Sequence, residues 1–288
     1  MLRRSLQYLW LNRHKRSRGA VLFLAVGSIA ILSILTLGAS SGVMQELRLS
    51  KFLTDSNTSY YSALSFIPAL KIILETDQTP QAVTLFDLRG RSIAFGDKVL
   101  YAEFYDEQSR ININRSSVST IIKLPVAGID AALAGAIAAA DFKVKEEMLW
   151  VESMTQEIYD GVKDLITVYG AGSLSINTAS RDSLGILIAD IDLIDKIIRY
   201  RAGEDGLEGT EDDGVFLFSA EIIPLLEPYG LTMEQKALLG NLVSANSLGV
   251  SSEYIVCNFA LKQKNKLLSN FSIILNLTTG KIVSWKEM

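Results

Sequence analysis

The chain has 288 residues, 49% of them hydrophobic and 21% charged, with a formal net charge of −4. That length can bury a substantial core and hold one large or two small domains. A single cysteine, Cys257, excludes an internal disulfide, and the single histidine, His14, excludes Ser-His-Asp or Cys-His catalysis and histidine-cluster metal sites beyond the N-terminal segment.

Charge is unevenly spread. Residues 1–19 carry Arg3, Arg4, Arg13, Lys15, Arg16 and Arg18, with no acid. Taking these six cations from the 28 leaves 22 basic against 32 acidic side chains, a net −10 beyond residue 19. Phosphate backbones reward Lys and Arg, so a body this acidic is a poor match for nucleic acid. It suits a calcium site, or simply solubility.

From Gly19 to Gln45 no residue is charged. About 25 helical residues span roughly 37 Å, enough for the hydrocarbon layer with some tilt. The basic flank predicts a cytoplasmic N-terminus and an outward-facing body after Gln45. Three readings fit such a segment. A Sec signal peptide has a shorter apolar run closed by an Ala-x-Ala site, and none is clear here. A plain signal anchor needs only the apolar length. The third reading rests on Arg18-Gly19-Ala20, a short basic leader ending in glycine directly before the apolar helix. It resembles a type IV pilin-like leader. The resemblance implies cleavage after Gly19 by a membrane aspartyl peptidase and methylation of Ala20. Most pilins carry glutamate at the fifth position of the mature helix, where it pairs with a neighbouring subunit's amine; this chain has Leu24. Its absence implies a subunit outside the repeating shaft.

Beyond the span, Glu46 to Lys51 continues the helix into water, and apolar spacing from Ser59 to Leu74 keeps helical period until Asp77–Pro80 stops it. Short runs at Ala82–Phe86 and Val99–Phe104, set off by Arg89-Gly90-Arg91 and Phe95-Gly96-Asp97, predict strands. Glu253–Leu261, Leu267–Leu275 and Lys281–Lys286 predict three more, with turns at Lys262–Lys266 and Thr278-Thr279-Gly280. Cys257 falls in the apolar run of the first of these and reads as a buried strand cysteine.

Between the strand groups lies a helix-rich stretch with an internal repeat. Ile113-Asn114-Arg115-Ser116-Ser117-Val118 aligns with Ile176-Asn177-Thr178-Ala179-Ser180-Arg181. The small polar residues read as helix caps. Each copy continues into an apolar helix, after Gly128-Ile129-Asp130 in the first and Asp190-Ile191-Asp192 in the second. Then comes an apolar segment, Met148–Val151 or Val215–Phe218, before a further short helix.

The second copy also contains residues 203–214, six carboxylates and four glycines in twelve residues. Calcium takes six to eight oxygens on a backbone that bends sharply, so Glu204, Asp205, Glu208, Glu211, Asp212 and Asp213 are candidate ligands. The order departs from an EF-hand. A solvated acidic loop is the plain alternative.

Taken in order, these features resemble the general secretion pathway protein K family, the K-type minor pseudopilins of type II secretion. The resemblance is carried by Asp106-Glu107-Gln108-Ser109-Arg110-Ile111-Asn112-Ile113-Asn114, by Asn177-Thr178-Ala179, by Tyr60-Tyr61-Ser62-Ala63 after the span, and by Gly280–Trp285 at the end. It implies an α+β protein. A leader at 1–19 and a transmembrane helix at 20–45 precede a pilin-like helix-on-antiparallel-sheet domain at 46–105 and 247–288. That domain is interrupted at 106–246 by an all-α insert of two SAM-like, helix-hairpin-helix-type repeats, about 106–170 and 171–246. It further implies calcium, inner-membrane anchorage with a periplasmic body, and a non-enzymatic role at the pseudopilus tip. The implied partners are the I- and J-type minor pseudopilins, the shaft, prepilin peptidase and secreted substrates. The alternative is a membrane-anchored helix-hairpin-helix DNA receptor for competence. Such hairpins need backbone N–H groups and nearby cations for phosphate, and here acids stand there. Paired acids such as Asp106 and Glu107 lack a nucleophile–base constellation, which leaves an enzyme reading without support.

Overall fold

A computed structural model describes residues 2–76 and 82–287; the side chains of the leader through Arg18 and the Asp77–Pro80 stop lie outside the described residues. Two compact units emerge, Met1–Thr58 and Ser59–Met288.

The first unit is helical over its described residues. Helix α1 runs Leu2–Thr76, so the leader, the apolar stretch and the Glu46–Lys51 continuation share one helix. Among the described residues, Gly19–Ser62 is the one stretch long and apolar enough to cross a membrane, and its apolar window is wholly unburied. Its hydroxyls are satisfied within the helix: Ser28, Ser33 and Thr36 donate to the carbonyls of Leu24, Ile29 and Leu32 at 2.7–2.8 Å. In lipid, where no water can substitute, that bonding is what allows such residues.

The second unit contains a five-stranded antiparallel sheet. Its strands are β1 (Arg91–Phe95), β2 (Lys98–Asp106), and, after the insert, β7 (Tyr254–Gln263), β8 (Lys266–Asn276) and β9 (Lys281–Glu287), in the order β1-β2-β7-β8-β9. Between β2 and β7 lie β3 (Ile111–Asn112), α2 (Val118–Ile121), α3 (Ala131–Ala139), α4 (Gln156–Val162), β4 (Ile166–Thr167), β5 (Leu174–Ser175), α5 (Arg181–Leu187), α6 (Ile191–Arg201), α7 (Ile222–Leu226), α8 (Met233–Ser244) and β6 (Leu248–Gly249).

The three C-terminal strands fall within two residues of the bounds expected at 253–261, 267–275 and 281–286. Ala82–Phe86 does not form the expected strand. Asp87 Oδ2 accepts from both the amide and the hydroxyl of Thr84, at 2.8 Å each, and folds the segment into a buried turn. The first strand starts later, at Arg91, and pairs with β2 across Gly96-Asp97, where Gly96 takes a positive φ of 63°. Lys264 and Asn265, at φ 46° and 66°, make the two-residue turn between β7 and β8.

One face of the sheet is a dry layer. Leu100, Ala102 and Phe104 align with Leu261, Phe259 and Cys257, and these with Phe271 and Ile273 of β8. Ile67 of α1 packs against this layer. Phe259, Phe271 and Trp285 stack in a row, with centroids 5.3 and 4.9 Å apart, and Trp285 meets Tyr60 at 4.8 Å. Burying each large side chain contributes about 1.5–3 kcal/mol. Cys257 lies fully inside, and burial alone pushes its thiol up to about 12.

The insert has a separate core drawn from both repeats. It is not purely helical, since each repeat closes with a two-residue parallel bridge, β3 to β4 and β5 to β6.

Candidate functional site: a duplicated helical insert with one acidic loop

The duplication read from sequence is also a duplication in bonding. In the first copy, the Asn114 amide brackets Phe142: Nδ2 donates to the Phe142 carbonyl at 2.8 Å, and the Phe142 N–H donates to Oδ1 at 2.9 Å. In the second, Asn177 does the same to Phe216, at 2.9 Å in both directions. Ser117 and Ser180 cap α2 and α5, Asp130 and Asp190 cap α3 and α6, and Thr155 and Thr232 cap α4 and α8. Serines, threonines and aspartates therefore do the capping, while the asparagines read as caps are long-range brackets. Each reaches across 28 or 39 residues, a span no local pattern reveals.

The aspartate caps bear on phosphate binding. Asp130 Oδ1 accepts the Leu133 N–H at 2.8 Å, and Asp190 Oδ1 accepts that of Leu193 at 3.1 Å. The helix N-terminus that a hairpin would offer to phosphate is already occupied by a carboxylate in both copies. Nothing in this geometry favours the DNA-receptor alternative.

Where the copies differ, the acidic loop appears. Helix α3 ends at Ala139 and the bracketed Phe142 follows three residues later; α6 ends at Arg201 and Phe216 follows fifteen later. Residues 203–214 are thus an insertion in the second copy. Its base is pinched shut. The Gly214 N–H donates to the Arg201 carbonyl at 3.0 Å, and the Tyr200 hydroxyl to the Val215 carbonyl at 3.1 Å. Gly203 has φ 59°, and a Cβ there would strike the Asp212 carbonyl; one at Gly214 would strike the Tyr200 carbonyl. Only glycine allows these approaches.

Inside the loop the candidate ligands take different partners. Asp212 Oδ2 accepts the N–H groups of Glu204 and Asp205, at 2.8 and 3.0 Å. These bonds, the Asp205 amide first, then the Thr210 hydroxyl, hold its carboxyl below the usual range. Asp213 accepts the amides of Gly209 and Thr210, at 2.7 and 3.1 Å, and the Thr210 hydroxyl links the Asp212 and Asp213 carboxylates. Asp205 turns onto the Leu207 amide at 2.7 Å. Glu208 pairs with the Arg201 guanidinium at 2.5 Å. Arg201 is buried, which draws its pKa down, and it also donates to the carbonyls of Ile176 and Ala179. Glu204 and Glu211 are exposed.

The donor chemistry is therefore calcium's, oxygen only, but the arrangement is not a cage. Among the described residues no group of three or more Asp, Glu, His or Cys stands close enough to hold a metal. The loop brings Asp212 and Asp213 together through Thr210, commits Glu208 to Arg201, and leaves Glu204 and Glu211 exposed. Gly19 and Ala20 lie within α1, exposed, with nothing near Gly19.

A long apolar N-terminal helix whose far end packs on an antiparallel sheet is a pseudopilin-like fold. One solved neighbour is a chain of the crystal structure of the GspK-GspI-GspJ complex from the type 2 secretion system of enterotoxigenic Escherichia coli, with TM-score 0.58, 13% identity, and coverage of 85% of this chain and 99% of that one. No protein-family model and no curated protein matches the chain.

Proposed function

We propose that the chain is a non-enzymatic minor pseudopilin that works at the tip of a type II secretion pseudopilus, beside I- and J-type partners. The observation that carries this is the likeness to the GspK-GspI-GspJ complex across 85% of the chain. Leu24, in place of the usual pilin glutamate, supports a place outside the shaft. So does a body interrupted by the two-repeat insert between β2 and β7. The proposed setting is the bacterial inner membrane, with the basic leader in the cytoplasm and the body in the periplasm. Prepilin peptidase would act between Gly19 and Ala20, and secreted substrates would meet the tip. The paired SAM-like character of the insert belongs to the same proposal.

Mass spectrometry of the mature N-terminus is the direct test. A methylated Ala20 start supports the pilin pathway, whereas an intact Met1 reduces the protein to a simple anchor. Co-purification with co-expressed I- and J-type pseudopilins tests the partners; their failure to associate would remove the tip assignment.

Calcium at 203–214 is a separate proposal, supported by the oxygen donor set. Binding would require Asp205, Asp212 and Asp213 to re-aim, so nothing in the tip role is routed through the ion. If calcium against a chelator leaves both the melting temperature and the hydrogen exchange of the loop unchanged, this proposal fails.

A further inference from the structure

The Asp106-Glu107-Gln108 triplet plays no part in the role proposed above, yet all three side chains are at most 2% exposed. Their position explains the burial. The insert leaves the sheet at Asp106 and returns at Tyr254, and Asp106 is paired with Ile255 in the β2–β7 register. Two separate apolar cores, one in the sheet and one shared by both repeats, are thus joined by two chain crossings lying side by side. Adjacent crossings alone make a hinge, because a pair of neighbouring strands can bend about their common line.

The triplet fills that hinge with bonds in three directions. Asp106 Oδ1 accepts the Gln108 N–H at 2.7 Å, while Oδ2 accepts the hydroxyls of Thr178, in the second repeat, and Ser252, on the return crossing. Glu107 pairs with Arg110 at 2.6 Å and accepts the hydroxyl of Thr167, at the end of the first repeat. Gln108 donates to the Ser251 carbonyl at 3.3 Å and accepts the Glu253 N–H, clasping the return crossing at the two residues that flank Ser252. Its stem also lies against Gly170, where a Cβ would come within 2.9 Å of it. Burying a carboxylate is costly unless it is hydrogen-bonded, and a fully bonded polar cluster fixes one geometry.

We propose that Asp106, Glu107 and Gln108 form a joint that locks both helical repeats to the sheet, turning a two-crossing hinge into a fixed orientation. Together the prongs cover every attachment: Asp106 holds the second repeat and the return crossing, Glu107 the first repeat, and Gln108 the return crossing again. The joint stands independently of the secretion assignment.

Spin-label distances in the full chain in detergent micelles test it. One label pair, at Lys266→Cys and Asp182→Cys, reports sheet to insert; a second, at Glu152→Cys and Asp182→Cys, reports within the insert. Cys257 is fully buried and stays unlabelled. Both pairs should give one narrow distance. Asp106→Ala, and Thr178→Val with Ser252→Ala, should abolish the narrow sheet-to-insert peak and leave the insert-internal peak intact. Asp106→Asn, which keeps the shape, should preserve both. Should Asp106→Ala not fold, the hydroxyl double variant gives the same reading. A sheet-to-insert peak that stays narrow in the folded variants, or loss of both peaks together, overturns the joint.

Discussion

Asn177 grips Phe216 by both ends of its amide, 2.9 Å to the carbonyl and 2.9 Å from the N–H, and the Phe216 side chain is fully buried. Removing the amide strands a buried carbonyl and a buried N–H. Asn177→Ala should therefore cost about 1–3 kcal/mol. Asn114→Ala should cost less, because Asn114 is only part-buried. Asn177→Asp should be no better than alanine, since it sets a carboxylate oxygen against the Phe216 carbonyl. Denaturant midpoints of the three variants check the order.

Arg201 makes a second prediction. It is 3% exposed and binds Glu208, Ile176 and Ala179. Arg201→Met leaves two buried carbonyls and one carboxylate without their donor, a loss of about 2–4 kcal/mol. Glu208→Gln keeps a neutral acceptor and should cost less. Hydrogen exchange should quicken across 203–214 in the methionine variant; unaltered exchange there would detach Arg201 from the loop.

Acid stability should carry the mark of Asp106. Burial, more than any other influence, raises its carboxyl above the ordinary 3.8. A group that holds its proton more tightly when folded stabilises the fold at low pH. That contribution declines as pH rises from the unfolded value through the higher folded one. Asp106→Asn removes the titration, so the melting temperature of the variant should change less over this acidic range than that of the parent. Parallel curves would speak against a titrating Asp106.

Cys257 offers a probe of the sheet. A thiol pushed up to about 12 and fully buried is a poor nucleophile. Thiol reagents should modify it only at the rate at which β7 opens, and reaction should quicken in step with denaturant. Prompt labelling of the native chain would place the strand elsewhere.

The parts of this fold that the sequence reveals are those set by local period. Apolar, β-favourable runs around Cys257 and Phe271, bounded by turn residues, place β7 and β8 on the sheet, and the uncharged run from Gly19 places the span. The turn at Ala82–Phe86 is hidden because one side chain, Asp87, outweighs a β-favourable apolar run. The brackets of Asn114 and Asn177, and the reach of Asp106 to Thr178 and Ser252, depend on residues far apart in the chain. Sequence spacing shows only that polar residues recur there. In the loop, counting carboxylates identifies oxygen donors but not their direction, which the backbone amides and Arg201 set.

The insertion at 203–214 bears on the economy of the chain. The first copy closes its asparagine bracket over the short link from Ala139 to Phe142, so a repeat of this kind folds without the extra loop. What those residues add to the second copy's own packing is Glu208, the partner of the buried Arg201, and any further demand for them lies outside the bracket. Replacing 203–214 with a link as short as the first copy's would separate what the loop does from what the domain needs in order to exist.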